Sequence, residues 1–291
     1  MGSAPRREHA RRTPRRGVTT SHGQTRDDGR VLTIREFSRL TRLGVRTLRR
    51  YQEAGLLEPT AVDGATGYRS YDPEQIPAAQ LAHRLCELGV PLPEVQQVLL
   101  CDDPTLRAAL VADHVRHEVD GNGAAVTSLR RLLEPEPAPV DAELRAVPER
   151  AVAAVEGHVR LDDVLAWYAD ATAELDAAVT TPAGAPGAMF DNALFEDGRG
   201  RALVYVPTED AASGGRVRAT TLPAVELAVT THVGGHEDVD VTYGRLGAWV
   251  VANELAVAGP ARETYLVGPR DTSERSAWRA EIGWPVFPVT S

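Results

Sequence analysis

The 291-residue chain contains no lysine, and all 32 of its basic residues are arginine. This reads as a bias of the coding sequence, not a chemical choice. Its two cysteines, Cys86 and Cys101, are too few for a disulfide scaffold or a four-thiolate zinc site. A Cys-only metal centre or an iron–sulfur cluster lacks ligands, and both thiols read as small core residues. His114 and His117 stand three apart on one candidate helix. Spacing leaves a histidine site there open, but no third ligand is evident, so no metal and no cofactor is expected. Long apolar runs are also missing. The longest, Leu246 to Gly259, is broken by Asn253 and Glu254. It falls short of the ~18 to 20 uncharged residues of a membrane span. No apolar segment follows the N-terminal arginines, as a secretory signal would require. The expected compartment is the reducing cytoplasm, with no membrane partner. No Ser-His-Asp or paired-carboxylate spacing is visible, so the chain is not expected to be an enzyme.

What is present is enough to fold. Hydrophobic residues make up 43% and charged residues 25%, which excludes wholesale disorder. The length fits roughly two domains. The net charge of -9 hides an asymmetry. Residues 1–30 carry eight Arg against three acids, residues 31–103 eight against ten, and residues 104–291 sixteen against twenty-eight. A basic front and an acidic back point to two different partners, an anionic polymer and a cationic ligand.

The pattern divides the chain into five parts. Residues 1–30 read as a disordered basic arm, either a solvated tail or an extra phosphate attractor. Residues 31–103 are helical and compact. Thr33 and Glu36 form a capping box, and Gly44 ends a turn before a second helix over Val45 to Ala54. Two short strands near Glu58–Val62 and Tyr68–Tyr71 flank a Gly-rich hairpin. Asp72-Pro73-Glu74 starts a helix that runs to Leu88, and a shorter one follows over Pro93–Cys101. Over 104–134, Val115, Val119, Asn122, Val126, Leu129 and Leu133 recur at alternating spacings of four and three, with Ala108 and Ala112 upstream. That is a coiled-coil dimerisation seam on one long helix. Gly121 and Gly123 leave two helices kinked at Asp120–Gly123 as the alternative. Residues 135–140 are a Pro-rich linker.

Residues 141–291 contain a weak duplication. Val147-Pro148-Glu149 resembles Leu222-Pro223-Ala224, 75 residues later. Each copy begins with a β segment, passes a Gly/His turn, and enters a helix, about Leu161–Ala178 and Asp238–Ala256. Strands then follow at Ala188–Glu196 and Arg201–Pro207, and at Arg262–Val267 and Trp278–Val286. Two such β-α-β-β units make one curved sheet with helices on one face and a cleft between the halves. The fold class is α+β: a winged helix-turn-helix, a long dimerisation helix and a duplicated sheet domain.

Val45-Arg46-Thr47-Leu48-Arg49-Arg50-Tyr51, Gly55-Leu56-Leu57-Glu58-Pro59, Gly67-Tyr68-Arg69-Ser70-Tyr71 and Leu85-Cys86-Glu87-Leu88-Gly89-Val90 together resemble the MerR-type transcription regulators. Arg50 departs from the tyrosine common there. The resemblance implies double-stranded promoter DNA, RNA polymerase and a second copy in a homodimer as partners. It implies activation by untwisting a promoter with an overlong spacer. The residues agree with DNA contact: Arg46, Thr47, Arg49 and Arg50 suit a major groove, and Tyr68 and Arg69 a backbone. A merely solvated arginine face is the alternative. Tyr51 and Tyr71 read equally well as packing residues.

Gly259-Pro260-Ala261-Arg262-Glu263-Thr264-Tyr265 and Trp278-Arg279-Ala280-Glu281-Ile282-Gly283-Trp284 resemble the GyrI-like effector-binding domain of multidrug-sensing regulators. The resemblance places Glu263 in a pocket for a cationic small-molecule effector. Glu263 and Tyr265 share a strand face. Trp167, Tyr168, Tyr205, Tyr243, Trp249, Tyr265 and Trp278 are candidate ring donors for a lipophilic cation, about half of them expected to line the cleft. An exposed Glu263 paired with Arg262 or Arg279 is the alternative. Two other functions stay open: a GyrI-like small-molecule hydrolase, and a drug-sequestering protein whose DNA contact serves autoregulation.

Overall fold

A computed structural model describes residues 30–118, 129, 131–133, 139–209 and 214–289, with the side chains of 113–118 excepted. The N-terminal region begins with β1 (Leu32–Thr33) and α1 (Ile34–Thr41). The Thr33 hydroxyl accepts from the Glu36 N–H at 3.3 Å, and the Glu36 carboxylate accepts from the Thr33 N–H at 2.8 Å. This is the expected capping box, which satisfies two otherwise unpaired donors. Arg42 follows in the left-handed region at φ 61°, and α2 (Val45–Glu53) starts beyond Gly44. The hairpin strands are shorter than the sequence pattern indicated: β2 (Ala61–Val62) and β3 (Arg69–Tyr71). Asp63 explains the tight connection, because its carboxylate accepts from the Ala65 and Thr66 N–H groups, each at 2.8 Å. β3 pairs with both β2 and β1. Helices α3 (Ile76–Glu87), α4 (Leu92–Leu99) and α5 (Pro104–Glu118) complete the region. Phe37, Leu48, Tyr51 and Tyr71 are fully buried, with the Phe37 and Tyr71 rings stacked at 5.2 Å. Tyr51 and Tyr71 are therefore core.

The seam on the long helix is only partly visible. Ala108 and Ala112 are exposed on α5. The side chain of Val115, and Val119, Asn122 and Val126 with the Gly121-Asn122-Gly123 break, lie outside the described residues, as do most of the arm and linker. Leu129 is buried and Leu133 half-buried, and both pack into the core of the same chain.

Beyond the linker come β4 (Ala142–Val147), β5 (Arg150–Arg160), α6 (Val164–Ala178), β6 (Gly187–Phe190), α7 (Asn192–Glu196) and β7 (Arg199–Pro207). The second half holds β8 (Arg218–Leu222), β9 (Val225–Val233), α8 (Val239–Ala252), β10 (Leu255–Val257), β11 (Ala261–Val267) and β12 (Arg279–Pro288). One antiparallel sheet runs in the order β4-β9-β12-β11-β6-β7-β5-β8, with β10 beside β12. Two expectations are corrected here. Ala188–Glu196 is not one strand. The Asp191 side chain accepts from the Ala193 N–H at 3.3 Å and starts α7, whose Leu194 is wholly buried. Each half also has a leading strand, β4 or β8, that the β-α-β-β reading lacked. These strands are exchanged: β4 pairs with β9 of the second half, and β8 with β5 of the first.

The 75-residue offset relates the halves across the β6–β11 contact, where Glu263 and Ala188, which are 75 apart, face each other as Cα partners. The two helices are equivalent in position but not in burial. On α6 only Ala171 and Leu175 are buried and Leu165 is 77% exposed. On α8, Val241, Thr242, Tyr243, Gly244, Leu246, Gly247, Val250 and Val251 are all buried. An all-round buried helix needs cover on two sides. The sheet covers one, and α1 with α3 covers the other.

Small residues make that second contact close. A Cβ at Gly247 would sit 2.9 Å from the Leu40 Cβ, and one at Gly244 2.7 Å from the Gln80 amide oxygen. Ions then set the register. Arg35 donates to Glu196 at 2.8 Å, and Arg39 donates to the same buried carboxylate. Arg84 donates to Asp240 at 2.7 Å and Arg131 to Asp238 at 2.7 Å. Three acids of the back half, Glu196, Asp238 and Asp240, are thus met by arginines of residues 35–131. Gly247→Val should overpack the α1–α8 contact and destabilise the protein by about 1–3 kcal/mol. A urea denaturation midpoint unchanged from the parent would refute this close packing.

Candidate functional site

The cleft is a pocket of about 290 Å3 at the pseudo-two-fold axis, below the N-terminal ends of α6 and α8. Much of its lining comes in pairs 75 residues apart: Val164 with Val239, Tyr168 with Tyr243, and Phe190 with Tyr265. The duplication thus supplies rings from both sides. It does not supply the charge twice, because the counterpart of Glu263 is Ala188.

Glu263 is 6% exposed on β11. The Tyr243 hydroxyl donates to its Oε1 at 2.7 Å and the Tyr265 hydroxyl to its Oε2 at 2.8 Å. Burial and the neighbouring carboxylate push both phenols well above the ordinary tyrosine range, so they remain donors. Tyr168 meets Tyr265 edge-on at 5.8 Å, and His236 meets Tyr265 edge-on at 5.9 Å. This ring wall divides the pocket from a second lobe of about 440 Å3, which Trp278 and Arg270 line. Glu263 is thus neither exposed nor paired with Arg262, whose guanidinium donates to the Pro223 carbonyl at 3.0 Å, or with Arg279, which donates to backbone carbonyls.

Of the ring residues singled out from sequence, the structure brings together Tyr168, Tyr243 and Tyr265, with Trp278 in the adjoining lobe. Three others lie elsewhere. Trp167 packs over Gly157, where an added Cβ would be 2.6 Å from the indole nitrogen. Tyr205 sits behind the sheet and donates to the Glu263 carbonyl at 3.4 Å. Trp249 packs against the core shared by α8 and the N-terminal region. Sequence reading missed Phe190, Phe195, His236 and Arg42. The 75-residue offset applied to Tyr265 would have found Phe190. No local signal marks Arg42, which enters from the turn between α1 and α2.

Its guanidinium carbon lies 3.3 Å from the Phe195 ring centroid and 3.8 Å from that of Tyr243. Burial lowers its pKa against the pull of Tyr243, Glu263 and Asp240. His83 also lines the pocket, and its Nδ1 is hydrogen-bonded at 2.9 Å to the hydroxyl of Tyr51 on α2. On the far side of that helix Arg46, Arg49 and Arg50 are exposed and Thr47 is half-buried. Tyr68, 74% exposed, and Arg69 project from the hairpin. No group of His, Cys, Asp and Glu among the described residues is arranged to hold a metal ion. None of the described helices is long and apolar enough to cross a membrane.

Two family matches cover these two regions. Residues 32–100 match the MerR HTH family regulatory protein description, and residues 141–286 the GyrI-like small molecule binding domain. The chain belongs to the GyrI-like family and carries a MerR HTH region. The HTH-type transcriptional regulator SkgA of Caulobacter vibrioides is 35% identical over 137 residues, 46% of this chain and 45% of SkgA. The transcriptional regulator BrlR of Pseudomonas aeruginosa is 30% identical over 109 residues, 35% of this chain and 40% of BrlR. The chain therefore spans under half the length of the curated relatives it matches. The EcmrR–DNA complex solved by cryo-electron microscopy is 20% identical with a TM-score of 0.47, over 89% of this chain and all of that one.

One buried histidine in the GyrI-like domain gives the protein an acid-sensitive edge. His232, on the wall of the Trp278 lobe, is 1% exposed. Its ring nitrogens bond the Thr242 hydroxyl at 2.8 Å and the Gly235 carbonyl at 2.7 Å. Burial lowers its pKa, against a raising pull from Asp238. The unfolded chain then binds the proton more readily, so stability is full above the ordinary imidazole value of ~6.5 and falls as pH drops below it. The urea midpoint of the parent should fall between about pH 7 and pH 5, and that of His232→Gln should fall less. Parallel curves would show that the loss arises elsewhere.

Proposed function

We propose that the protein is a ligand-responsive transcription regulator which binds promoter DNA through Arg46, Thr47, Arg49, Arg50, Tyr68 and Arg69. It acts as a homodimer, with RNA polymerase as partner and with the 104–134 segment as the contact to a second copy. A small lipophilic cation is its effector. One observation carries this reading. The helix with the exposed arginine face follows directly on the turn whose Arg42 enters the pocket, so occupancy of the pocket and the pose of α2 are physically joined.

The pocket chemistry favours a cation. A buried carboxylate and ring faces attract positive charge together. Each carboxylate oxygen of Glu263 accepts a hydrogen bond from a phenol. The two phenols fix the carboxylate among ring faces, an arrangement that supports binding of a cation. Activation by DNA distortion sets an energetic demand. Bending or untwisting a site costs roughly 1–6 kcal/mol by elastic estimates. The effector must bind the distorting state more tightly by a comparable amount.

Arg49→Ala should weaken binding to the protein's own upstream DNA by roughly tenfold or more, the effect of losing about 1–3 kcal/mol at a base or phosphate contact. Effector affinity should not change. An unaltered gel shift would reject α2 as the recognition helix. Glu263→Gln should weaken tetraphenylphosphonium binding by about tenfold, equivalent to ~1.4 kcal/mol, and a neutral triphenyl compound much less. Equal losses by calorimetry would reject the charge role.

A further inference from the structure

We propose that Arg42 is a tethered cation seated where the effector binds, and that a cationic effector enters by displacing it. This deepens the reading of the pocket as a site for lipophilic cations and rests on it.

The seat is a sandwich. The guanidinium carbon of Arg42 lies 3.3 Å from the Phe195 ring centroid and 3.8 Å from that of Tyr243, the same ring that donates to Glu263. Arginine in such a place ordinarily ends in a forked hydrogen-bonded pair with the carboxylate. Here each Glu263 oxygen accepts from a tyrosine hydroxyl, Tyr243 on one and Tyr265 on the other, and the arginine fork is not formed. The guanidinium meets two ring faces and the Tyr243 hydroxyl, while its buried Nη1 has no hydrogen-bond partner among the described residues. A buried charged donor left unpaired loses its hydration without replacement. A quaternary phosphonium or ammonium has no N–H to orphan. In the same seat it keeps the ring and carboxylate attraction and avoids that loss.

The tether sets the price of entry and its consequence. Arg42 sits in the left-handed turn at φ 61° between α1 and α2. That turn is pinned by the Ser38 hydroxyl, which donates to the Leu43 carbonyl at 2.5 Å, and by the Leu43 N–H, which donates to the Thr41 hydroxyl at 3.3 Å. An internal occupant lowers the apparent affinity for a free cation by the fraction of molecules whose seat is empty. Its release frees the turn from the GyrI-like domain. The seat is thus both the specificity filter and the link to the DNA-binding helix.

The test uses the full chain and tetraphenylphosphonium as probe. Arg42→Asn preserves the backbone, because asparagine adopts the left-handed region readily; Arg42→Gln keeps more of the side-chain bulk. Calorimetry should show both variants binding the probe about tenfold more tightly than the parent. In the parent, adding the probe should speed hydrogen exchange at the Leu43 and Gly44 amides. Equal or weaker binding by the variants, or unchanged exchange in the parent, overturns the displacement while leaving a cation pocket. Absence of binding by parent and variants alike overturns the cation reading together with it.

Discussion

The burial of helix α8 on both of its sides is the constraint from which the other features follow. Its sheet-facing side belongs to the GyrI-like domain, and its outer side is covered by α1 and α3 of the helix-turn-helix region. Gly244 and Gly247 admit those helices closely enough for the core to run without a break from Phe37 to Trp284. Apolar contact is not directional, so it leaves the rotation of one domain on the other open. The arginine–carboxylate pairs at Glu196, Asp238 and Asp240 fix it. The carboxylates of these pairs are largely buried, and one left without its arginine is costly, so the pairs penalise any other register.

This changes the meaning of the charge pattern. The arginines of the first region form two sets. Arg35, Arg39 and Arg42 turn inward to the second domain, whereas Arg46, Arg49 and Arg50 face solvent. The inward set meets carboxylates and rings of the second domain within the chain, and the outward set leaves an exposed positive face on α2.

Much of this was legible in the sequence because local chemistry decides it. The Thr33–Glu36 box, the Gly-rich hairpin and the Asp72-Pro73 start are local, and each appears in the structure where the residues place it. Glu263 and Tyr265 were readable as a pair because strand alternation alone puts them on one face. What was not legible is long-range. The partner of Arg42 is 153 residues away in sequence at Phe195, and nothing near residue 42 marks it. Trp167 and Trp249 look like ring donors by type, yet each fills a gap beside a glycine or the core. Ala188–Phe190 has strand character that masks Asp191 in the sequence, and the capping role of Asp191 becomes decisive only with Leu194 buried behind it.

The exchanged leading strands have a consequence for how such a domain can arise and change. Because β4 borders the second half and β8 the first, each repeat supplies the other with its outer edge. Neither repeat closes its own sheet, so the two cannot be split, traded singly or left to drift apart in length. A change that alters the strand register in one half must be matched in the other. Within that bond the interior stays free to diverge, which is how one half could come to hold a carboxylate at the axis while its twin holds a methyl group.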